Sequence, residues 1–421
     1  MGQHVYVCID LKSFYASVEC VQRGLDPMTT NLVVADPERS EQTICLAVSP
    51  SMKRLGIKNR CRVFQIPKGI TYIMAPPRMK LYLNYSADVY GIYLKYIAKE
   101  DIHVYSIDEV FLDVTQYLSL YQLTASELAV KIMEDIKENI GITATAGIGT
   151  NLYLAKVALD IMAKHSFDNI GCLDEESYQK NLWDHQPLTD FWRIGTGIEK
   201  RLQHVGILTM GDLAHADEKM LYRLFGVDAE LLIDHAWGRE STMMEDIKSY
   251  KPKSNSLSSS QVLPRNYSYG EGKLIVKEMA DSLCVDLAEK GLAASSISLN
   301  VGYSNELGIS PAVGTASLEQ QSNSYQQIIP SILALYERIV QREKPIRRVR
   351  MTCNSVVEDA WRQYRLFTEE AAVEKERKMQ KAVLSIRQRF GKNAIVRGMD
   401  LQKAGTAIER NKQIGGHKSG E

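Results

Sequence analysis

Residues 4–10, His-Val-Tyr-Val-Cys-Ile-Asp, form an apolar run that ends in an acid, and this reads as a buried strand with a carboxylate at its tip. From Met79 to Lys99 the period changes: Leu81, Tyr85, Val89, Tyr93 and Ile97 recur at four-residue intervals, which lines one face of a helix. Ile102–Ser106 and Val110–Val114 are short strand-like runs on either side of Ile107-Asp108-Glu109. Thr124–Asn139 predicts an amphipathic helix, opened by Thr124 with Glu127 three residues on, so that each side chain can satisfy a backbone N–H near the other. Ile142–Ile148 predicts a strand and Leu152–Lys164 a further helix. The order β-α-β-β-α-β is that of a ferredoxin-like split unit. One long excursion, residues 17–73, interrupts it.

The same order returns later, with strands at Leu257–Leu263, Ser296–Tyr303, Val313–Leu318 and Arg347–Cys353 and helices at Gly272–Lys290 and Tyr325–Gln341. Residues 251–260, Lys-Pro-Lys-Ser-Asn-Ser-Leu-Ser-Ser-Ser, begin as a linker by composition. Beyond Ala360 the chain turns polar and helical to Arg397, and Gly405–Glu421 is expected to be disordered. The fold class expected is multidomain α+β.

Composition narrows the partners. The chain has 421 residues, enough for three or four domains, and is 45% hydrophobic and 24% charged, a globular balance. It contains no apolar run long enough to span a membrane. Met1–Asp10 lacks the basic region of a signal peptide, and Tyr6 stands where myristoylation wants Ser or Thr. The seven cysteines have no C-x-x-C spacing, so reduced thiols in a cytoplasmic protein are expected and a zinc site is not. With 51 basic and 51 acidic residues, any nucleic-acid surface must come from local clustering.

In a split sheet the first and third strands are neighbours. Asp10 ends the first, and Asp108 and Glu109 open the third, so three carboxylates from distant sequence meet at one sheet edge. Such a group repels itself unless a cation intervenes, and all-oxygen ligation suits Mg²⁺. Taken one at a time, each acid also fits a solvated turn.

The surrounding strings settle more. Asp10-Leu-Lys-Ser-Phe-Tyr-Ala-Ser-Val-Glu19 and Tyr105-Ser-Ile-Asp-Glu-Val-Phe-Leu-Asp113 closely resemble the two signatures of Y-family DNA polymerases, and Ser106-Ile107-Asp108-Glu109 most resembles the UmuC/UvrX branch. The resemblance implies a right-hand polymerase: a ferredoxin-like palm (1–16 and 74–165), small fingers (17–73), a helical thumb (166–240), a linker (241–256), a little finger (257–360) and a C-terminal tail (361–421). It implies two Mg²⁺ ions held by Asp10, Asp108, Glu109 and the Leu11 carbonyl, and a nucleotide site made by Leu11, Phe14, Tyr15, Lys53 and Lys156. Tyr15 matches the aromatic steric gate against a ribose 2′-hydroxyl; a core tyrosine is the alternative. Lys53, in Ala47-Val-Ser-Pro-Ser-Met-Lys-Arg-Leu-Gly-Ile57, stands where many members carry Arg, and Pro50 where many carry Tyr. Lys12 also departs, since other branches often carry Asp or Asn there.

Phe191-Trp-Arg-Ile-Gly195-Thr-Gly197 followed by Gly206-Ile-Leu-Thr-Met-Gly-Asp-Leu213 looks like a helix-hairpin-helix, whose glycines and helix N-terminus suit a phosphate backbone. A plain tight turn between helices is the alternative. Residues 338–350 hold six basic residues and one acid, and strand alternation puts Arg348 and Arg350 on one face with Val349 on the other, beside Arg347. This suits DNA, or equally a charged protective edge. Gln363-Tyr-Arg-Leu366-Phe367 resembles the peptide by which polymerases dock on the bacterial sliding clamp; the start of a tail helix is the alternative. The function implied is dNTP addition to a primer–template by a monomer in the cytoplasm, in translesion synthesis and the SOS response, with or without accessory subunits. A nucleotidyl cyclase and a silent, clamp-tethered DNA-binding protein are the rivals.

Overall fold

A computed structural model of the chain describes residues 4–252, 255–359 and 370–420. Gln363, Leu366 and Phe367 lie outside them. The chain divides into two compact units, with the boundary in sequence between Tyr250 and Lys251. Among the described residues no helix is long and apolar enough to cross a membrane.

The first unit is built on β1 (Tyr6–Leu11), which is buried along its length except at Asp10. Helix α1 (Phe14–Val21) follows, then the excursion: β2 (Leu32–Val34), β3 (Ala47–Val48), α2 (Pro50–Arg54) and β4 (Ile73–Ala75). These strands form their own sheet in the order β3-β2-β4, with a small core that includes Val33, Val48 and Met52. The chain returns through α3 (Met79–Tyr96), β5 (Ile102–Val104), β6 (Glu109–Asp113), α4 (Thr115–Tyr121), α5 (Ala125–Ile140), β7 (Ala144–Gly149), α6 (Leu152–Val157) and β8 (Ile170–Leu173). The sheet order β5-β6-β1-β7-β8 places β1 between β6 and β7, antiparallel to both, as a split unit requires. The Thr124–Glu127 capping box forms at the head of α5.

The single helix expected over Leu152–Lys164 is divided. α6 gives way to a π-helical turn at Ala158–Met162 and a 3₁₀ turn at Ala163–His165. Such widened turns often mark functional positions. α6 sits against β7 at backbone distance: a Cβ on Gly147 would lie 2.1 Å from the Ala155 carbonyl oxygen, and one on Gly149 2.2 Å from the Ala155 nitrogen.

Helices α7 (Glu175–Leu182), α8 (Thr196–Gln203), α9 (Met210–Ala214), α10 (Glu218–Phe225) and α11 (Asp228–Ala236) share a core with α6 that includes Tyr153, Tyr178, Phe191 and Leu202. The stretch expected as a linker, 241–256, is partly structural. Met244–Ser249 forms α12, Met244 packs in the core cluster of Tyr6 and Phe111, and Lys248 Nζ donates 2.6 Å to the Ile102 carbonyl. One buried apolar side chain and one tied lysine override the polar composition of that segment.

The second unit contains β9 (Leu257–Tyr267), α13 (Tyr269–Glu289), β10 (Leu292–Tyr303), β11 (Ala312–Ser322), α14 (Tyr325–Ile339), β12 (Ile346–Asn354) and β13 (Val357–Glu358). The element order repeats that of the first unit, but the strand order does not. It is β11-β10-β12-β9, with the first strand at an edge. Element order alone does not choose between these pairings. Helices α13 and α14 cover one face over a core that includes Met279, Leu283, Leu299 and Ile332.

The disorder expected for Gly405–Glu421 is not found in its described part. After α15 (Glu370–Phe390), the chain forms α16 (Ala407–Asn411) and a hairpin of β14 (Gln413–Ile414) and β15 (His417–Lys418), turned by Gly415 and Gly416 at φ 60° and 83°. The preceding turn is held by acids of α13: Thr406 N donates 2.9 Å to Glu278 and Arg397 Nε donates 2.6 Å to Asp281. Both acids are buried. Buried carboxylates need polar partners, so a polar segment is what fits there.

Candidate active site

The register of β1 on β6 sets Asp10 directly across from Glu109. Asp108 stands in the turn that enters β6, and its carbonyl accepts from Leu11 N at 3.0 Å. Ser106 Oγ donates to Asp108 Oδ1 at 2.7 Å, which orients that carboxylate at an exposed hairpin tip. Burial, with Asp108 and Glu109 adding to it, pushes the Asp10 carboxyl up to about 6 against the pull of Lys164.

Lysines hold this charge apart. Lys156 Nζ lies 2.7 Å from Glu109 Oε1 and 3.0 Å from Asp160 Oδ2; Lys164 Nζ lies 2.7 Å from Asp160 Oδ1 and 3.3 Å from Asp10 Oδ2. Asp160, on the π turn, joins the two lysines into one ladder. Cys8 Sγ donates to Glu109 Oε1 at 3.2 Å from beneath.

The ladder includes one residue expected at the nucleotide. Lys156 matches a phosphate lysine by sequence, yet its side chain is only 8% exposed and fully engaged by Glu109 and Asp160. Burial works against its charge, but the two acids outweigh it and hold its pKa above the ordinary lysine value. Lys156 is thus the counter-charge of Glu109 and Asp160 in this arrangement. Lys164, 40% exposed and beside Asp10, is the residue that the sequence reading missed. Its signal in the sequence is the i, i+4 spacing Lys156–Asp160–Lys164, which puts the three side chains on one side of a helix.

Phe14 is buried in the core, at 2% exposure. Tyr15 beside it is half-buried, stacks on Tyr82 at 4.6 Å and is close enough to Asp108 that the acid adds to the burial raising its phenol pKa. Tyr82 OH donates 2.8 Å to Glu19, which also accepts from Arg78 at 2.9 and 2.7 Å and from Arg23. Glu19, buried on α1, therefore fixes the platform under Tyr15. Lys53 is exposed on α2, and its pKa is lowered by burial and Lys164 but supported by Asp10 and Asp108, so it too faces this site. Pro50 is the first residue of α2, where its ring suits the helix start.

Would a metal fit? Asp10, Asp108, Glu109 and the Leu11 carbonyl offer only oxygen, the donor chemistry of Mg²⁺. Among the described residues, no three acidic, histidine or cysteine side chains close on a single point. The donor set fits the ion in kind.

Two further surfaces stand as expected in position. Gly195 caps α8 and Gly197 lies in its first turn; neither has positive φ, and a Cβ on either would meet nothing within 4 Å. Neither conformation nor crowding within the chain explains these glycines. Gly206, at φ 79°, makes the turn toward α9. On β12, Val349 is buried while Arg348 and Arg350 are exposed on the sheet face that α13 and α14 leave open. Their direct partners on the neighbouring strands are Val262 and Gly302 for Arg348, and Ser260 and Asn300 for Arg350. Arg347 falls at an irregularity in the register and is half-buried.

Residues 9–160 match the impB/mucB/samB family, and residues 254–366 match its C-terminal domain. A Bacillus subtilis protein named for UV-damage repair, UvrX, is 32% identical over 98% of this chain and 97% of its own. DNA polymerase IV 2 of the same organism is 29% identical over 99% of each. Among solved structures, a chimera of the Y-family DNA polymerase Dbh superposes with TM-score 0.66 over 84% of this chain and 99% of its own at 20% identity, so the shared fold is that of the right-hand polymerases. The chain belongs to the impB/mucB/samB family, the Y-family of translesion DNA polymerases, on its UvrX-like side.

Proposed function

We propose that this chain is a template-directed DNA polymerase that adds dNTPs to a primer 3′ end by two-metal phosphoryl transfer, acting across damaged template in DNA repair and the SOS response. The observation that carries the reading is the β1–β6 register. It sets Asp10 against Glu109 and ties Asp108 to Leu11, beside lysines that can meet phosphate. In this reading the first unit holds palm (1–16 and 74–165), fingers (17–73) and thumb (166–240), and the second holds the little finger.

Asp10, Asp108, Glu109 and the Leu11 carbonyl would hold two Mg²⁺ ions, which supply an activated 3′-oxygen and stabilise charge on the transferring phosphoryl group. The chain's own residues do the rest. Lys164 and Lys53 meet the triphosphate as point charges. Lys156 pairs with Glu109 and orients it. Tyr15, braced by Tyr82, occupies the space that a ribose 2′-hydroxyl would need, so discrimination comes from a clash with the wrong sugar. Gly195 and Gly197 let a phosphate backbone approach the N-terminus of α8, and Arg348 and Arg350 hold duplex backbone without reading its sequence. Gln363, Leu366 and Phe367 would tether the enzyme to the sliding clamp and so raise its concentration at the primer end.

A cyclase would use the carboxylates but has no use for the second unit or the α8–α9 hairpin. Primer extension separates a polymerase from a silent DNA-binding protein. Asp108→Asn or Glu109→Gln should abolish nucleotide addition and leave primer–template binding largely intact. Near-normal turnover in either variant refutes the assignment.

A further inference from the structure

Four lysines surround Asp10, and only two of them have acid partners. Lys156 and Lys164 are engaged by Glu109, Asp160 and Asp10. Lys12 and Lys53 make no ion pair among the described residues. Lys12 is nevertheless a built part of the site. Its N–H donates 2.9 Å to the Thr143 carbonyl, and its own carbonyl accepts from Ser17 Oγ at 2.6 Å, so its main chain is fixed on both sides. Its Nζ donates to Asn169 Oδ1, a neutral acceptor that orients the ammonium without cancelling its charge.

Asn169 is itself held. It adopts the left-handed conformation, φ 63°, and its carbonyl accepts from Ala146 N of β7 at 2.9 Å. It ends the short loop that begins just after Lys164, so one segment presents Lys164 and aims Lys12. Lys12 and Lys53 are thus cations of this site with no acid on their ammonium groups, and a multiply charged anion is the counter-charge that such groups accept.

We propose that Lys12, oriented by Asn169, binds the triphosphate of the incoming nucleotide together with Lys53. The inference rests on the polymerase reading and adds a specific ligand to it. It also gives a reason for a cation at a position where an acid is common in other branches: here the site meets polyphosphate with lysine point charges, since no arginine fork stands at position 53.

The test uses the full chain with primer–template. Lys12→Ala should raise the KM for dNTP about tenfold, the worth of one charge-assisted hydrogen bond, with kcat changed far less. Lys12→Arg should restore most of the affinity, and Asn169→Ala should weaken it about threefold. Calorimetric titration of inorganic tripolyphosphate into the protein–DNA complex should show the same order without turnover. Lys12→Gln keeps the side-chain stem and replaces Lys12→Ala if the latter melts early. Unchanged KM and tripolyphosphate affinity in both neutral variants overturns the proposal, as does a loss confined to kcat. A wild-type chain that binds tripolyphosphate but never extends a primer sinks the polymerase reading, and with it the nucleotide as ligand.

Discussion

Replacing Gly149 by alanine adds a single methyl group at the point where α6 lies on β7. That Cβ would stand 2.2 Å from the Ala155 nitrogen and 2.6 Å from the Leu154 carbonyl carbon, both backbone atoms that no rotamer change can move aside. Relief to an ordinary 3.4 Å contact requires α6 to retreat by about 1.2 Å. The retreat loosens Leu152 and Ala155 from Tyr6 and Phe111. Overpacking of this kind costs about 1–3 kcal/mol, and the rigid obstacle puts Gly149→Ala at the upper end, about 3 kcal/mol. The same movement carries Lys156 away from Glu109 and Lys164 away from Asp10. A displacement near 1 Å in such groups lowers turnover by about 10²-fold. Urea unfolding measures the first effect and single-nucleotide incorporation the second. Gly69→Ala, whose Cβ would meet nothing within 4 Å, is the control. A Gly149→Ala protein within about 0.5 kcal/mol of wild type that still incorporates at full rate would refute the claim that this close approach positions the lysines.

Tyr15→Ala should raise ribonucleotide relative to deoxynucleotide incorporation, and an unchanged ratio in single-turnover kinetics would return Tyr15 to a packing role. Arg348→Ala with Arg350→Ala should weaken DNA binding alike for all sequences and flatten its log–log salt dependence by about 0.9 for each phosphate no longer neutralised; a constant slope would leave β12 a charged edge. Glu240 ties His235 to the turn at Thr242: burial raises its pKa, but bonds from His235 at 3.2 Å and Thr242 N at 2.8 Å (to Glu240 Oε1) outweigh it and bring the carboxyl to about 2. A depressed acid stabilises above its unfolded value, about 4.3, and that contribution fades as pH falls toward 2. Glu240→Gln should therefore cost about 2 kcal/mol at pH 7 and clearly less at pH 3 by urea midpoint, whereas an equal loss at both pH values would show that the charge is not what matters.

The β1–β6 strand pair was legible because it depends on local pattern. An apolar run ending in Asp10 and a hairpin carrying Asp108 and Glu109 leave few ways to build a split sheet, and the register then follows. Capping at Thr124 and the alternation at Arg348, Val349 and Arg350 are equally local. The partners of these residues were not legible. Lys156 and Lys164 look alike in sequence, yet packing against β7 buries one as a counter-charge and leaves the other open. The strand order of the second unit, the docking of Met244, and the ordering of the chain after Arg397 on Glu278 and Asp281 all depend on contacts between residues far apart in sequence. Periodicity reports which face of an element is apolar. Which element covers that face, and which buried charge meets which, is set by the free energy of the whole assembled core, and that appears only in the tertiary structure.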